Sequence, residues 1–400
     1  MIEKKKILVI ADDFTGAAEI GGIGLRNGLR VAIETEPIYS EENDIIVIAT
    51  DTRSMSKQEA TLHISKLTKE LMQFNPLFIY KKIDSVLRGN ISEELVTQMK
   101  VTGKKRAIIV AANPVFKRII KDGNYYIDDV PLNETCFSND SQFPIQSNEV
   151  LKLLNPVEGY PIINLKPDDP LPEKGLIIGD VESLDDLQKW TLKYSEDILF
   201  AGAFGFFNSL LKSLNYTDRN NQKLDKPFGT PALFIMGSTY PKNERIIARM
   251  IEMGHHHSNM PKEIYCNENF DSELLNAWVY EIVTKINEKQ KVIVSCIHKK
   301  PRQKDNSFRI KKIIAELVKR VFEEVKIQEI LIEGGSTTSE ILDNLGIKKL
   351  TPIQELDTGV IRMKVDLIPD LYLTTKPGSY QWPEKVWMND ESLTRIELND

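Results

Sequence analysis

The stretch ILVIADDFTGAA, residues 7–18, decides the fold and contains the most informative junction of the chain. A continuous apolar run, Ile7 to Ile10, gives way to two adjacent carboxylates, Asp12 and Asp13. In an open α/β sheet, ligands bind at the carboxyl ends of strands, beside the first turn of the following helix. Adjacent carboxylates disfavour each other's ionisation, so a cationic or hydroxyl-bearing group is expected beside them. Either aspartate alone could instead cap the next helix.

The same pattern recurs along the chain: a short apolar run, a polar or glycine-rich turn, and a helical segment. Continuous apolar strands that alternate with helices predict mostly parallel sheets covered on both faces. Ser56 with Glu59 and Ser183 with Asp186 mark two helix starts. The further predicted strands are Ile45–Ala49, Leu77–Tyr80, Ala107–Ala111, Leu176–Ile178, Ile198–Ala201, Ala232–Met236, Val292–Ser295 and Ile330–Ile332.

The length of 400 residues predicts two domains, because it exceeds what one ordinary core accommodates. The polar segment Asn215–Pro231, with proline and glycine at its far end, is the predicted boundary. It separates residues 1–220 from residues 231–400. A proline-rich stretch, Asn155–Pro172, is interpreted as a surface excursion of the first domain, although it could itself be a boundary.

Composition excludes several classes of protein. The net charge of −6, from 52 basic and 58 acidic residues, argues against a nucleic-acid partner. The apolar runs are of strand length, so no membrane span is predicted, and the N-terminus lacks the features of a signal peptide. The three cysteines have no CxxC spacing and predict neither disulfides nor a zinc site. A reduced, cytoplasmic setting is expected, and a homodimer is left open.

Polar side chains cluster at three predicted strand ends: at Asp12-Asp13, at Thr50–Ser54 and at Lys81–Asn90. Because the ends of parallel strands converge, these groups could share one pocket for a small, polar, anionic substrate. Taken alone, the lysines could be a solvated strand end, and Arg53 a surface salt bridge. The coincidence of three such segments favours a functional site.

Within this pocket the residue types indicate separate tasks. Arg88 and Lys82 could bind a carboxylate, Arg88 as a fork and Lys82 as a point charge. The aspartates and Ser85 could bind hydroxyls. Asn90 directly precedes a predicted helix start, and helix N-termini favour anions.

A second constellation lies in the predicted C-terminal domain. The strand Ile330–Ile332 runs into Gly334, Gly335, Ser336 and Thr337 and then into a helical segment, which is suited to phosphate oxygens. A plain capped turn would give the same pattern about as readily. Weaker turns of the same kind follow two other strands, at Gly237-Ser238-Thr239 and at Lys376-Pro377-Gly378. No P-loop is present.

Histidine is scarce, with five in the chain. Residues His255–His257 follow Gly254 in a predicted loop, and an exposed loop is favoured over a metal site. An aspartate is therefore favoured over a histidine as general base, and no metal ligands are assigned.

The chain resembles the four-carbon acid sugar kinase family. The segments that carry the resemblance are Ala11–Ala17, Thr50–Ser54, Tyr80–Asn90, Asp122-Gly123, Pro131–Thr135, Gly237-Ser238, Gly334–Thr337 and Lys376–Tyr380. The resemblance implies an α/β architecture of two three-layer, Rossmann-like domains, each with a mostly parallel sheet covered by helices. It also implies an N-terminal acid-sugar domain and a C-terminal ATP domain, with the active site in the cleft between them.

The same resemblance implies ATP-dependent, Mg²⁺-assisted phosphorylation of a sugar acid such as erythronate, threonate or an oxo-tetronate. It places six residues in the substrate pocket: Asp12, Asp13, Arg53, Lys82, Asp84 and Arg88. It places Ser238, Gly334 to Thr337 and Gly378 at the nucleotide, and Lys376 supplies a cation beside them. One of Asp12 and Asp13 is the expected catalytic base.

Two stretches depart from the family pattern. The family often reads Pro-Ala-Phe-Pro followed by Gly-Arg where this chain has Ala112–Arg118, and its serine-rich turn is replaced here by Thr239–Asn243. The second departure supports an alternative, a sugar-acid-binding regulatory protein without catalysis. A sugar-acid isomerase or lyase is a third reading, against which the turn at Gly334–Thr337 argues.

Overall fold

The computed structural model describes residues 6–38, 42–140, 142–216, 226–237, 241–267, 269, 271–297 and 306–387, and only the backbone of residues 241–244, 306 and 307. The chain forms two compact units, Met1–Asn221 and Gln222–Asp400. Both units are α/β, each built on a mostly parallel sheet, as the alternation of apolar runs and helical segments predicts.

The first unit begins with strand β1 exactly where the apolar run predicts a strand, and its remaining elements follow in sequence. They are β1 (Ile7–Ala11), α1 (Phe14–Arg26), β2 (Val31–Glu34), β3 (Ile45–Ala49), α2 (Lys57–Met72), β4 (Phe78–Lys82), α3 (Ile91–Thr102), β5 (Arg106–Val110), β6 (Arg118–Lys121), β7 (Asn124–Ile127), β8 (Val130–Pro131), α4 (Val150–Leu153), β9 (Ile162–Leu165), β10 (Gly175–Gly179), α5 (Leu184–Leu192), β11 (Ile198–Gly202) and α6 (Phe204–Ser213).

The main sheet of this unit has the order β2-β3-β1-β4-β11-β5-β10-β9, and every neighbouring pair is parallel. Strand β1 lies inside the sheet, with Val9 opposite Val47 on β3 and Tyr80 on β4. All five residues of β1 are buried, which explains why its sequence is continuously apolar rather than alternating. The carboxyl ends of β1, β3, β4, β11 and β5 therefore lie along one edge of the sheet.

Two features fix the helices next to this sheet. Both predicted capping boxes are present, at Ser56 before α2 and at Ser183 before α5. In α1, a Cβ added at Gly24 would lie 2.4 Å from Val31 Cγ2. Gly24 therefore allows α1 to pack closely against the strands of the sheet.

The second unit has its own sheet and helices. Its elements are β12 (Ala232–Met236), α7 (Pro241–Glu252), β13 (His256–Asn259), α8 (Lys262–Cys266), α9 (Ser272–Lys289), β14 (Lys291–Ser295), α10 (Asn306–Glu324), β15 (Glu329–Glu333), α11 (Gly335–Leu345), β16 (Lys349–Asp357), β17 (Val360–Val365) and β18 (Tyr372–Lys376).

Strands β13-β14-β12-β15-β18 of this sheet are parallel, and β17 and β16 extend it as an antiparallel pair. Its core packs β12, β14 and β15 side chains with Trp382 and Trp387, whose rings lie 6.1 Å apart. In the described part of the chain, no helix has the length and apolarity needed to cross a membrane.

Two sequence-based interpretations are wrong. His256 and His257 do not lie in a loop but in the edge strand β13, which pairs with β14. The stretch Asn155–Pro172 is not only a surface excursion, because it contains β9, the edge strand beside β10. Both strands are short and polar or only partly buried, so neither produces a continuous apolar run.

The segment Asn215–Pro231 remains the proposed linker, and it predicts the first site of limited proteolysis. A polar connection between compact units is the usual place for nicking, so cleavage there should release two fragments that correspond to the units. The measurement is a protease time course with mass spectrometry of the fragments. First cleavage within Asn155–Pro172 would contradict the prediction, since β9 is hydrogen-bonded into the sheet.

Candidate functional site

Backbone hydrogen bonds bring the three polar segments of the first unit together. The Asp12 N–H donates to the carbonyl of Lys82 at 3.2 Å, and the Arg53 N–H donates to the carbonyl of Asp12 at 3.2 Å. The segments that follow β1, β3 and β4 therefore meet at the carboxyl edge of the sheet, where ligands of open α/β folds bind.

A buried guanidinium joins the two adjacent aspartates. Arg53 lies in a 3₁₀ turn, Thr52–Ser54, shortly after β3. Its Nε and Nη2 donate to the two oxygens of Asp12 at 2.9 Å each, and its Nη1 donates to Asp13 Oδ2 at 3.0 Å. The same Nη1 lies 3.7 Å from Asp84 Oδ1. The cation expected beside the aspartates is thus supplied by the protein itself.

Asp13 also caps helix α1. Its Oδ1 accepts the Gly16 N–H at 2.8 Å, and its Oδ2 accepts the Thr15 hydroxyl at 2.7 Å. Burial alone would raise the pKa of Asp13, but Arg53 and Lys82 outweigh burial and, with these hydrogen bonds, hold the pKa below its usual value. Asp12 and Asp13 are therefore not equivalent, because only Asp13 begins the helix.

A second ion-pair cluster follows β4. Arg88 Nε and Nη2 donate to the two oxygens of Asp84 at 2.7 and 2.8 Å, and the Arg88 N–H donates to Asp84 Oδ2 at 3.1 Å. Arg88 Nη1 donates to Asp140 at 2.8 Å. Two protein carboxylates therefore occupy Arg88, which was predicted to bind the carboxylate of a substrate.

The two lysines at the end of β4 are buried, so neither is a solvated strand end. Lys82 Nζ lies 3.1 Å from Glu19 and donates to the carbonyl of Ile83 at 3.1 Å. Burial opposes the charge of Lys82, but Glu19 and Asp13 outweigh it and raise the pKa above its usual value. Lys81 Nζ lies 2.6 Å from Glu94. Both lysines are thus paired with carboxylates within the unit.

Asn90 supports the turn that carries Arg53. Its Nδ2 donates to the carbonyls of Thr52 and Met55 at 3.1 and 3.0 Å. The preceding Gly89 has a φ of +98°, and a Cβ built there would lie 3.0 Å from Arg53 Cγ. In this structure Asn90 is a positioning residue for Arg53, and its contact with a substrate stays a prediction.

Sequence reasoning missed Arg118, the first residue of β6. Its Nη1 donates to Ser85 Oγ, and its guanidinium lies 5.9 Å from the centre of the Phe137 ring. The Tyr125 hydroxyl holds Ser85 in place through its carbonyl at 2.8 Å. The only signal in the sequence was the position of Arg118 in a segment that departs from the family pattern.

The second unit carries a cradle of strand-end glycines. Gly334, with a φ of +96°, precedes α11, and its N–H donates to the carbonyl of Lys376 at 3.0 Å. Among the described residues, no atom lies within 4 Å of a Cβ built at Gly334 or at Gly378. A Cβ at Gly237 would lie 3.3 Å from Thr337 Oγ1. The arrangement fits phosphate oxygens, because it combines open glycines with the first-turn N–H groups of α11.

Other predicted nucleotide-site residues have different outcomes. Gly335, Ser336 and Thr337 form the first turn of α11, while Ser238 lies outside the described residues. Lys376 is buried, and its Nζ lies 3.3 Å from Glu333. Burial lowers the pKa of Lys376, and Glu333 offsets only part of that effect. Its role toward a nucleotide stays a prediction.

The described residues contain no group of three or more His, Cys, Asp or Glu side chains arranged to hold a metal. A cation that arrives on nucleotide phosphates needs no such cage, since Mg²⁺ in phosphoryl-transfer sites is bound mainly by phosphate oxygens and water, with one or two carboxylates. Glu333 is the carboxylate that directly precedes the glycine cradle, where it pairs with Lys376 at 3.3 Å, and Mg²⁺ beside it stays a prediction.

Comparison with known proteins matches both units to described domains. The model of a sugar-binding N-terminal domain matches residues 7–210, and the model of a nucleotide-binding C-terminal domain matches residues 233–380. The fold and the two sites therefore define a two-domain protein with a sugar-binding part and a nucleotide-binding part. The chain belongs to the four-carbon acid sugar kinase family.

Curated relatives carry the names of sugar-acid kinases. A D-threonate kinase of Salmonella typhimurium is 30% identical over 252 residues, 58% of each chain. A D-erythronate kinase of Heliobacterium modesticaldum is 30% identical over 154 residues, 37% of this chain and 35% of the relative. The matched part of the chain thus spans 58% and 35% of these relatives' lengths.

Solved structures share the fold over almost the whole chain. A Salmonella typhimurium protein, provisionally named a tRNA synthase, has a TM-score of 0.77 at 18% identity and covers 96% of this chain and 99% of its own. A Haemophilus influenzae protein has a TM-score of 0.67 at 18% identity and covers 94% of this chain and 98% of its own. At this identity the likeness shows the fold alone.

The ion pair between the buried Asp84 and the partly buried Arg88 predicts a loss of stability in acid. Burial would raise the pKa of Asp84, but Arg88 and Arg53 hold it far below its usual value. A carboxylate with a lowered folded pKa stabilises the fold above its unfolded pKa of about 3.9, and this stabilisation is lost as the pH falls toward the folded pKa. The contribution of Asp84 to the free energy of unfolding should therefore be constant above about pH 5 and fall below about pH 4.

Asp84→Asn should lower the free energy of unfolding by up to about 3–5 kcal/mol at pH 7, because it removes the carboxylate that accepts two hydrogen bonds from the Arg88 guanidinium and leaves only the single contact with Asp140. The difference from the wild type should shrink in acid, as measured by denaturant unfolding at several pH values. Asp44→Asn is the matched control, since it breaks the exposed pair with Arg30 at 3.3 Å. Equal losses in both variants at every pH would contradict the prediction.

Proposed function

We propose that the protein is an ATP-dependent kinase that phosphorylates a hydroxyl of a small sugar acid, with four-carbon acids such as erythronate, threonate or an oxo-tetronate as the substrate class. The observation that carries the proposal is the buried cluster in which Arg53 holds Asp12, Asp13 and Asp84 at the carboxyl edge of the sugar-binding unit. The names of the curated relatives support the same substrate class.

The cluster suits phosphoryl transfer, which depends more on positioning and charge neutralisation than on covalent chemistry. A sugar hydroxyl must be held and its proton accepted as the phosphoryl group arrives. The carboxylates and guanidinium groups of the cluster are already held in place by one another before the substrate binds. A regulatory protein that binds a sugar acid without catalysis would have the same cluster. Activity therefore has to be measured directly.

Asp12 is the better candidate for the general base. A carboxylate offers about four acceptor positions. Asp13 uses three of them, for Gly16, Thr15 and Arg53, whereas Asp12 accepts two hydrogen bonds, both from Arg53. Asp12 therefore keeps the greater capacity to accept a hydroxyl proton, and Asp13 serves α1 and the orientation of Arg53.

In the nucleotide-binding unit, the glycine cradle and the N–H groups of α11 would hold the phosphates of ATP. Bound Mg²⁺ would neutralise charge on the phosphate oxygens, and Glu333 is its proposed protein ligand. A cytoplasmic setting is part of the proposal, supported by the three cysteines, none of which forms a disulfide in the described part of the chain.

The test is ADP release with ATP, Mg²⁺ and a panel of three- to six-carbon sugar acids. We expect turnover with at least one four-carbon acid. Gly378→Val should abolish it while leaving the thermal unfolding temperature unchanged, because the new side chain enters open space where phosphate is proposed to bind. A folded protein that binds a sugar acid but releases no ADP with any of them would favour the regulatory alternative.

Substitution of the two adjacent aspartates should separate their roles. Asp12→Asn should lower kcat by about 10²–10⁴-fold, the usual contribution of a general base. Asp13→Asn is the matched control and should cost much less, because asparagine also caps helices well. Steady-state kinetics and sugar-acid affinity are measured for each variant. If both variants turn over at nearly the wild-type rate, neither aspartate is the general base, and Asp84 is the next residue to substitute.

A further inference from the structure

The turn between β5 and β6 places two polar side chains on one face. The Asn113 N–H donates to the carbonyl of Arg118 at 2.8 Å, and the Arg118 N–H donates back to the carbonyl of Asn113 at 3.2 Å. The two residues form an isolated antiparallel bridge. Directly opposed residues of an antiparallel pair project their side chains to the same side, with Cβ atoms about 4.5–5.5 Å apart.

Arg118 differs from the other cations of the cluster. Arg53, Lys82 and Arg88 each have a carboxylate partner, whereas the described residues place no carboxylate within 4 Å of Arg118. Its contacts are the Ser85 hydroxyl and the Phe137 ring. A guanidinium has five N–H donors, so Arg118 retains an uncompensated charge and most of its hydrogen-bonding capacity.

Asn113 places its side-chain amide against the first turn of helix α6. Its residue is 3% exposed, and within the described chain its side-chain amide makes no hydrogen bond. The amide packs against Gly205, where an added Cβ would lie 2.8 Å from Asn113 Cγ and 2.9 Å from Nδ2. An amide offers both a donor and an acceptor, so a ligand hydroxyl, which also does both, could pair with it.

Backbone bonds connect this turn to the aspartate cluster. The Ile83 N–H donates to the carbonyl of Gly202 at 3.1 Å, and the Ala203 N–H donates to the carbonyl of Val110 at 3.0 Å. The ends of β4, β11 and β5 are thus adjacent. The Ser85 side chain, one residue beyond Asp84, completes the connection through its hydrogen bond from Arg118.

We propose that Arg118 binds the carboxylate of the substrate and that Asn113 reads the hydroxyl on the adjacent carbon, so that the site selects 2-hydroxy acids. The inference rests on the proposed function for the class of substrate, and it replaces Lys82 and Arg88 as carboxylate ligands. A hydroxyl both donates and accepts, as does the amide, whereas a 2-deoxy acid leaves the amide unsatisfied. Ser85 accepts from Arg118 and can donate its own proton onward to the same carboxylate.

The first test measures binding without nucleotide, by calorimetry with a four-carbon trihydroxy acid. Arg118→Gln should weaken binding by about 10- to 100-fold, the usual size of a charged hydrogen bond to a carboxylate. Arg118→Lys should recover only part of that affinity, because it restores the charge without the fork. Arg30→Gln, at an exposed pair remote in sequence, should bind like the wild type. All variants should unfold at similar temperatures.

The second test compares the trihydroxy acid with its 2-deoxy analogue. Asn113→Ala should weaken binding of the former by about 3- to 10-fold and leave the latter unchanged. Gly205→Ala should have the same selective effect although Asn113 itself is not substituted, because the added methyl group displaces the side-chain amide of Asn113. Alanine favours a helix over glycine, which offsets part of the cost of displacing the amide, and the unfolding temperature of this variant is measured beside its binding.

The outcomes separate the inference from the proposed function. Arg118-dependent acid binding without ADP release would support the inference and contradict the kinase. ADP release with unchanged acid affinity in Arg118→Gln would overturn the inference and leave the kinase intact. Equal losses for the 2-hydroxy and 2-deoxy acids in Asn113→Ala would overturn the role of Asn113. A wild type that binds no sugar acid would overturn both the inference and the proposed substrate class.

Discussion

The contact of the Arg53 guanidinium with three carboxylates is the interaction on which the first site depends. Its fork takes both oxygens of Asp12 and one of Asp13, and it approaches Asp84. Without this cation, adjacent buried carboxylates would repel each other and resist ionisation. Removal of one member of such a buried group is costly, because it leaves a charge without its partner. The surroundings of Arg53 are correspondingly restrictive, with Gly89 against its side chain and Asn90 holding its turn.

The pairing of charges inside the unit has a further effect on recognition. Lys82 forms an ion pair with Glu19, and Arg88 forms one with Asp84. Carboxylates of the protein therefore largely neutralise the positive charge of both side chains. A negatively charged substrate is therefore attracted chiefly by a cation that lacks such a partner. A site organised in this way can keep its carboxylates ordered for hydroxyl groups and still admit an anion at one end.

Much of the fold could be predicted from the sequence, because buried parallel strands are continuously apolar. The runs that became β1, β3, β12 and β15 are examples, and the two capping boxes mark helix starts through a fixed spacing. Several strands were not predicted: β2, β6, β7, β8, β9, β13, β16 and β17. Two of them, β9 and β13, lie at sheet edges and lack apolar runs. Their pairing is decided by tertiary contacts that leave no periodic pattern.

The sequence predicted that the polar residues of the first site would converge at one sheet edge, but not how they pair with one another. The sequence placed Asp12, Arg53 and Asp84 near one sheet edge, yet which cations were already paired depended on side-chain geometry. The pairing of Lys376 is another contact that the sequence does not indicate, because no sequence pattern shows that this lysine is buried beside Glu333. Arg118 was missed because it follows an irregular turn, where no strand or helix period indicates the direction of a side chain.

The helix cap at Asp13 has a consequence for how the protein is made. The carboxylate that starts α1 also pairs with Arg53, 40 residues further along the chain. The partners of this contact therefore all leave the ribosome early, well before the second unit is synthesised. Formation of the first helix and assembly of the charged cluster share one side chain, so a nascent chain that folds its first strands and helices also sets the core of its binding site.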